Sequence, residues 1–287
     1  MNFEQVTIVG PGLLGASLAM ALRNRDACRR IVVWARNPER VAECSGLDWC
    51  DHADHNLEKA VSGSDIIVLC TSVESIVALL PKVISLSAEG TLLTDVGSVK
   101  KRICQVGEEQ RGKGKGTFIG SHPMAGSEKS GMSHARPDLF EGKPCIVTSP
   151  INVPDSLHRS LHDFWERVGM KVHDMSAEEH DRCVAHVSHL PHLLSSSLAH
   201  CLDEINVDWR SLSGQGLRDT TRIAEGNSDL WEQILLSNKS NVLAALAELE
   251  SSISLAKNYL ANEQGSELRE FLETGVHFRK SLNAAEE

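Results

Sequence analysis

The stretch Val6-Thr7-Ile8-Val9-Gly10-Pro11-Gly12-Leu13-Leu14-Gly15-Ala16-Ser17-Leu18-Ala19-Met20-Ala21-Leu22 decides the fold of this chain. Residues 6–9 form a short β-branched run with the composition of a buried strand. Gly10, Gly12 and Gly15 follow in a G-x-G-x-x-G pattern, and an apolar run of helical spacing (Leu13, Leu14, Leu18, Ala19, Leu22) begins at once. The three glycines serve a tight turn, a close backbone approach to a pyrophosphate, and close helix–strand packing. The helix that starts there directs free N–H groups and the positive end of its dipole at the phosphates. Strand before and helix after are the context that turns this pattern into an expected dinucleotide site.

Outward from that stretch, strands are expected at residues 31–34, 65–71, 91–96, 118–121, 145–148 and 171–174. Helices are expected between most of them, including 56–61, 74–86, 99–107 and 156–168. Residues 65–71 read D-I-I-V-L-C-T, an almost unbroken apolar run of the kind found in parallel sheets covered on both faces. The alternation predicts a doubly wound α/β domain. Ligands gather at the carboxyl ends of such strands, which places Thr71, Ser72 and the segment Asp95-Val96-Gly97-Ser98 beside the cofactor. From Ser176 the periodicity is helical, and Ser176 with Glu179 forms a capping box. Helices are expected at 177–202, 230–237, 239–260 and 266–280. The fold class is therefore a Rossmann-type sheet domain over residues 1–175 followed by an all-helical domain over 176–287.

Composition narrows the function. The 287 residues carry a formal charge of -10, which disfavours a nucleic-acid surface. No apolar run approaches the roughly 20 residues of a membrane span. The chain enters its first strand almost at once, so no signal peptide is expected. The eight cysteines lack paired spacing and read as reduced thiols of a cytoplasmic protein. Cys44, Cys50, His52 and His55 match no zinc spacing and read as loop residues, so no metal is expected. The strip Arg111 to Gly116 (R-G-K-G-K-G) reads as a solvated basic loop.

Three further groups carry possible chemistry. Ser98 ends one strand, and His122 ends the next, entering the Gly- and Pro-containing loop 122–131. Ser188-His189-Leu190-Pro191-His192 sits in the long helix, with Ser188 and His192 four apart and Pro191 costing about 3 kcal/mol of helix stability. Asp219 and Arg222 lie one helical turn apart. Each also has an ordinary reading: Ser98 as a helix cap, His122 as a structural histidine, Asp219 and Arg222 as a surface ion pair.

Five stretches, V-G-P-G-L-L-G-A-S-L, D-V-G-S-V-K, G-S-H-P-M-A-G-S-E-K-S-G, S-H-L-P-H and L-R-D-T-T-R-I-A, resemble the prephenate and arogenate dehydrogenases of tyrosine biosynthesis. They follow the family's order over most of the chain, and the H-P-M-A-G-S-E loop and S-H-L-P-H helix are not general Rossmann features. The resemblance implies oxidative decarboxylation of prephenate with hydride transfer to a nicotinamide cofactor. Arogenate, differing by an amino for a keto group, remains the alternative substrate. By the same resemblance His122 is the catalytic histidine and Ser98 bonds the substrate hydroxyl. Arg222 binds the ring carboxylate, and Asp219 orients or pairs with arginine. Ser127 and Glu128 line the pocket, while Ser188 and His192 contact or gate the substrate. The helical domain is expected to form a homodimer, an expectation that apolar positions Leu243, Leu246, Leu249 and Ile253 share.

The candidate cofactor contacts are Gly10, Gly12, Leu13, Leu14, Gly15, Ala35, Arg36, Thr71 and Ser72. Ala35 stands about 20 positions past the glycines, where NAD enzymes usually place an acidic residue, and Arg36 follows. That pair predicts NADP over NAD. Two other function classes compete. A silent dinucleotide sensor would not need the Ser98, His122 and Arg222 set. A β-hydroxyacid dehydrogenase would carry a lysine near S-H-L-P-H, and none is there.

Overall fold

The computed structural model describes residues 3–126, 129, 131–148, 153–203 and 207–284. Two compact units divide the chain, 1–239 and 240–287. The first opens with β1 (Phe3–Val9), α1 (Leu13–Asn24), β2 (Cys28–Trp34), α2 (Pro38–Ser45), β3 (His52–Asp54) and α3 (Leu57–Val61). It continues with β4 (Ile66–Leu69), α4 (Val73–Leu86), β5 (Leu92–Asp95), α5 (Lys101–Glu109) and β6 (Thr117–Phe118). These six strands form one parallel sheet in the order β3-β2-β1-β4-β5-β6. The strand order reverses between β1 and β4, and such a switch point is where a dinucleotide fold opens its crevice.

Alternation along the strands builds two apolar layers. Ile66 and Val68 of β4 face a core with Ile8, Leu18, Leu22 and Val33, whereas Ile67 and Leu69 face Leu80, Val83, Leu93 and Ile103. Helix α1 fills the first layer; α4 and α5 fill the second.

The strand expected at 118–121 divides in two. After β6 the chain crosses at buried Ile119 and enters β7 (Gly120–Pro123), which belongs to a second sheet. There β7 runs antiparallel to β8 (Pro144–Thr148), which pairs in parallel with β9 (Lys171–Asp174). Helix α6 (Asp155–Arg167) packs against β9. Its Leu161, Phe164 and Trp165 are fully buried.

Of Cys44, Cys50, His52 and His55, read as loop residues, Cys44 instead lies in α2 and His52 in β3. Asn37 caps α2 by accepting from Glu39 N, and Pro38 occupies the first helical position, where its missing N–H costs nothing. Cys44 is buried on α2 and His52 lies in the three-residue β3. A strand that brief leaves too little alternation to recognise.

The expected helix 177–202 is interrupted. It consists of α7 (Ala177–Val184), a π-helical turn over Ala185–His189, and α8 (Leu190–Asp203). Pro191 explains the break: it has no N–H to donate, and its ring excludes the carbonyl four residues back. A widened π turn immediately before it accommodates both defects. The helices α9 (Val207–Arg210), α10 (Gln215–Thr221) and α11 (Ser228–Ser237) complete the first unit.

The second unit is formed by most of α12 (Lys239–Ala261) and all of α13 (Gly265–Ala284). Its helices leave Leu243, Ile253, Leu260, Leu272, Val276 and Phe278 at least half exposed. Among the described residues, no helix is long and apolar enough to cross a membrane. All eight cysteines are free thiols.

Candidate active site

The glycine loop shapes a cradle with little room for side chains. Gly10 has φ +102°, a backbone conformation that favours glycine, and a Cβ there would collide with Thr71. A Cβ on Gly15 would overlap the Gly10 carbonyl, so α1 sits directly on the β1 turn. Gly12, by contrast, faces open space, and it caps α1 with no side-chain bond to the helix N–H groups. Thr71, just past β4, has a buried Oγ1 with no hydrogen-bond partner among the described residues. Free helix N–H groups, an open approach at Gly12 and an orphaned hydroxyl across the switch point fit a dinucleotide. Leu13 and Leu14 begin α1, while Ser72 caps α4 through Ser75 N. Ala35 is buried at the end of β2, and Arg36 beside it is exposed, with no ion pair among the described residues.

Beyond the cradle, a buried polar cluster is organised by Asp95 at the end of β5. Its carboxylate accepts from Gly97 N (2.8 Å), from Ser121 N (3.2 Å) and from Lys100 Nζ. Lys100 is fully buried and also donates to the Ser121 carbonyl at 2.7 Å. Ser121 Oγ donates to the Asp95 carbonyl (2.7 Å) and accepts from Trp165 Nε1 (3.1 Å). These bonds lock the backbone one residue before His122. Loss of either charged partner would leave the other buried and unpaired, at a cost of about 3–5 kcal/mol.

His122 projects from β7 towards α7. Its Nδ1 lies 2.8 Å from His180 Nε2, and His180 Nδ1 lies 2.8 Å from Asp181 Oδ1. Asp181 also accepts from Lys100 N (2.7 Å) and Lys101 N (3.0 Å) at the start of α5. The cap of α5 is therefore Asp181, while Ser98 stands half-buried just ahead of the helix. A carboxylate can only accept, so the neutral His180 ring carries its proton on Nδ1 and presents a lone pair at Nε2. His122 must then donate from Nδ1, which leaves its own Nε2 as a free base. Burial lowers the His122 pKa well below the ordinary imidazole value, and the neighbouring His180 and Lys100 reinforce that. His180 is lowered by burial too, against the opposing pull of Asp181.

The π turn brings His189 inward. Its Nδ1 is 3.1 Å from Asn238 Nδ2, which also donates to the Asp181 carbonyl at 2.7 Å. Burial depresses the His189 pKa to about 4. His192, one turn on, stacks flat against Trp231 of α11 with centroids 3.6 Å apart and planes 8° from parallel. Ser188 is only half-buried, so in this helix His189 and His192 make the inward contacts. Asp219 is exposed and bonded to Gln215 Nε2 (2.7 Å), and no ion pair joins it to Arg222 among the described residues. Arg222 is exposed at the start of the 3-10 turn Arg222–Glu225, which leads into Gly226 beside Trp231 and His192. Ser127 and Glu128 lie outside the described residues.

Sequence reading missed Lys100, His180, Asp181, Trp231 and Asn238, and singled out Ser188 and His192 rather than His189 within the S-H-L-P-H stretch. His180 and Asp181 follow Glu178 and Glu179 in α7 with no local pattern to mark them, and their contacts exist only where α7 meets β7 and α5.

Two family models match. The model described as prephenate dehydrogenase, nucleotide-binding domain, covers residues 18–174, and the one described as prephenate dehydrogenase, dimerization domain, covers 176–274. The chain belongs to the prephenate dehydrogenase family. A prephenate dehydrogenase of Bacillus subtilis is 28% identical over 283 residues, 97% of this chain and 76% of the relative. A cyclohexadienyl dehydrogenase of Zymomonas mobilis is 26% identical, covering 98% and 95%. The crystal structure of the Aquifex aeolicus prephenate dehydrogenase in complex with hydroxyphenyl propionate and NAD+ superposes with a TM-score of 0.88 at 31% identity, over 98% of this chain and 99% of that one. Synechocystis arogenate dehydrogenase superposes with a TM-score of 0.84 at 28% identity, over 97% and 99%. The chain is accordingly an NAD(P)-dependent dehydrogenase of this family.

Proposed function

We propose that the enzyme converts prephenate to 4-hydroxyphenylpyruvate by oxidative decarboxylation, with His122 as general base. The observation that carries this reading is the His122–His180–Asp181 chain, which leaves His122 Nε2 unprotonated and neutral near pH 7. A nicotinamide ring bound through the Gly10–Gly15 cradle supplies the hydride acceptor. His122 Nε2 takes the ring hydroxyl proton as the carbon bearing it loses hydride, so the oxygen lone pair closes a carbonyl. The bond from the ring to its carboxylate then breaks, carbon dioxide leaves, and the electron pair enters the ring to make the aromatic phenolate. The protonated His122 returns its proton to that oxygen. Aromatisation drives the sequence, and the protein's task is placement.

Ser98, half-buried beside the Asp95 cluster, is assigned to the substrate hydroxyl, and Arg222 to the ring carboxylate, where a guanidinium binds two oxygens at once. Residues 1–175 would hold the cofactor. Residues 176–287 would complete the substrate site and form a homodimer, in keeping with the apolar side chains exposed on α12 and α13. NADP is favoured over NAD by Ala35 and Arg36.

Steady-state kcat/KM with prephenate and arogenate, each with NAD+ and NADP+, tests the assignment. Turnover of prephenate, lowered about a hundredfold or more in kcat by His122→Asn, is expected. A preference for arogenate would transfer the reaction to the amino substrate, and no turnover of either would overturn the reading.

A further inference from the structure

Far from the Asp95 cluster in sequence, a second polar group converges between α6 and β9. His158 and His162 lie four residues apart on one face of α6, and Asp174 ends β9. Both imidazoles approach the same carboxylate oxygen: His158 Nε2 at 2.8 Å and His162 Nε2 at 3.1 Å from Asp174 Oδ1. The two ring centroids are 4.5 Å apart, and the three ligand atoms all lie within 4.8 Å of one another. Among the described residues, this is where three metal-ligating side chains meet.

We propose that His158, His162 and Asp174 form a site for a divalent transition metal ion of the zinc class, which clamps α6 to β9. Ligand distances of about 2.0–2.2 Å in a tetrahedral site put neighbouring ligand atoms about 3.4 Å apart. The two nitrogen–oxygen separations reach that with outward movements of a few tenths of an ångström at each atom, and the two imidazole nitrogens already lie within 4.8 Å of each other. The metal replaces the two N–H protons now pointing at Asp174, and its charge compensates a carboxylate that both rings already address. Nitrogen donors select zinc, cobalt, nickel or copper over magnesium and calcium.

The scaffold is suited to holding the rings still. Leu161, Phe164 and Trp165 anchor α6 in the core along a stripe that adjoins the histidines, while His158 and His162 are only about a quarter exposed. Asp174 is half exposed, so the fourth position opens to water. An i, i+4 histidine pair on a helix is a recurrent zinc-binding arrangement, but here the residues between are Arg159, Ser160 and Leu161. No carboxylate sits between the histidines to act as a base, so the proposed role of the ion is to hold α6 against β9. β9 needs such support, because three of its four residues are exposed and the fourth half-buried. The clamp also bears on the active site: α6 carries Trp165, whose Nε1 bonds Ser121 next to His122.

The test uses the full chain stripped with chelator, titrated with Zn2+ and melted with and without it. One zinc ion per chain is expected, with Tm raised by about 5 °C at a hundredfold excess over Kd, and no rise with Mg2+. The His158→Gln/His162→Gln double variant should bind no zinc and melt at the same temperature with or without it. Asp174→Asn, which keeps both rings, should weaken binding and serves if the double variant fails to fold. Co2+ added to the native protein should give the visible absorption of a low-coordinate nitrogen–oxygen site. Failure of the native chain to bind stoichiometrically at micromolar zinc, equal binding by the variants, or the same Tm rise with Mg2+ would each overturn the proposal.

Discussion

His122 Nδ1 and His180 Nε2 are hydrogen-bonded at 2.8 Å across the junction of β7 and α7. This contact determines which nitrogen of His122 is free. With Asp181 holding the His180 proton on Nδ1, the chain admits one arrangement of neutral tautomers, and it ends in a lone pair at His122 Nε2. On the proposed mechanism His180 acts as a positioning residue that need not touch the substrate. His180→Leu should lower kcat by about tenfold or more, short of the roughly 10²–10⁴-fold effect of losing the base itself. His180→Gln, whose side-chain oxygen can accept from His122 Nδ1, should recover part of that loss. Rescue of this kind would separate positioning from mere packing; equal kcat in all three proteins would remove His180 from the mechanism.

The pH dependence follows from the same group. As the proposed base, His122 works only when neutral, and its pKa is pushed down by burial and by the neighbouring His180 and Lys100. The acid limb of kcat/KM should therefore fall below pH 6.5, the value for an ordinary imidazole. Stability responds in the same direction. His189 titrates at about 4 in the fold against 6.5 when unfolded, so the unfolded chain binds a proton first as pH falls. Its contribution is complete above about pH 6.5 and declines between 6.5 and 4, the loss amounting to roughly 3 kcal/mol by pH 4. Denaturant melts from pH 7.5 to 4.5 should show falling stability, and His189→Gln should flatten that slope. A slope unaltered by the substitution would mean that other groups carry the acid sensitivity.

Much of this was legible from the residues. Gly10, Gly12 and Gly15 announce the crevice because their spacing is a purely local requirement of turn and helix start. The strand 65–71 declares itself by an apolar run that only a doubly covered sheet can bury. His122 and Ser98 could be nominated from their places at strand ends. What stayed hidden was long-range. Asp181 sits 81 residues from the Lys100 N–H it caps, and no local pattern signals that an acid on one helix will cap another. Lys100, a charged residue expected at the surface, is buried because Asp95 and the Ser121 carbonyl are there to meet it. The π turn before Pro191 is a case between the two. The proline's cost is evident in the sequence, but the remedy, and the inward turn of His189 that comes with it, is a property of the packed helix.

The glycines of the cradle should separate by kind of failure. Gly12 meets nothing where a Cβ would be, so Gly12→Ala should fold with a Tm close to that of the native protein. Its methyl group would stand where the pyrophosphate backbone approaches, and KM for the cofactor should rise about tenfold or more. Gly15→Ala should do the opposite first: the new Cβ overlaps the Gly10 carbonyl, and such overpacking costs typically 1–3 kcal/mol. Thermal melts beside cofactor titrations distinguish the two. Matching losses of stability in both variants would mean that Gly12 is kept for the fold alone.

Cofactor choice turns on the end of β2. Enzymes that prefer NAD place a carboxylate here to bond the adenosine ribose hydroxyls, and that carboxylate repels a 2′-phosphate. Ala35 removes the charge, and it is buried, so it offers neither bond nor repulsion. Arg36 follows at an exposed position with no ion pair among the described residues, so its guanidinium is available to a phosphate. Arg40, the next cation along, is already tied to Glu43 at 2.7 Å. Asp54, at the end of neighbouring β3, directs its carboxylate to Asn56 N at 2.8 Å. On the proposed preference for NADP, this corner is expected to hold the phosphorylated ribose. Arg36→Ala should lower kcat/KM for NADP+ by roughly tenfold, the usual order for a charge-assisted bond, and leave NAD+ nearly unchanged. Ala35→Asp/Arg36→Ala should reverse the preference, because repulsion is added where attraction is removed. Both variants change only the adenosine end, so kcat at saturating cofactor should hold. A native enzyme that uses NAD+ tenfold better than NADP+ would show that Arg36 does not read the phosphate.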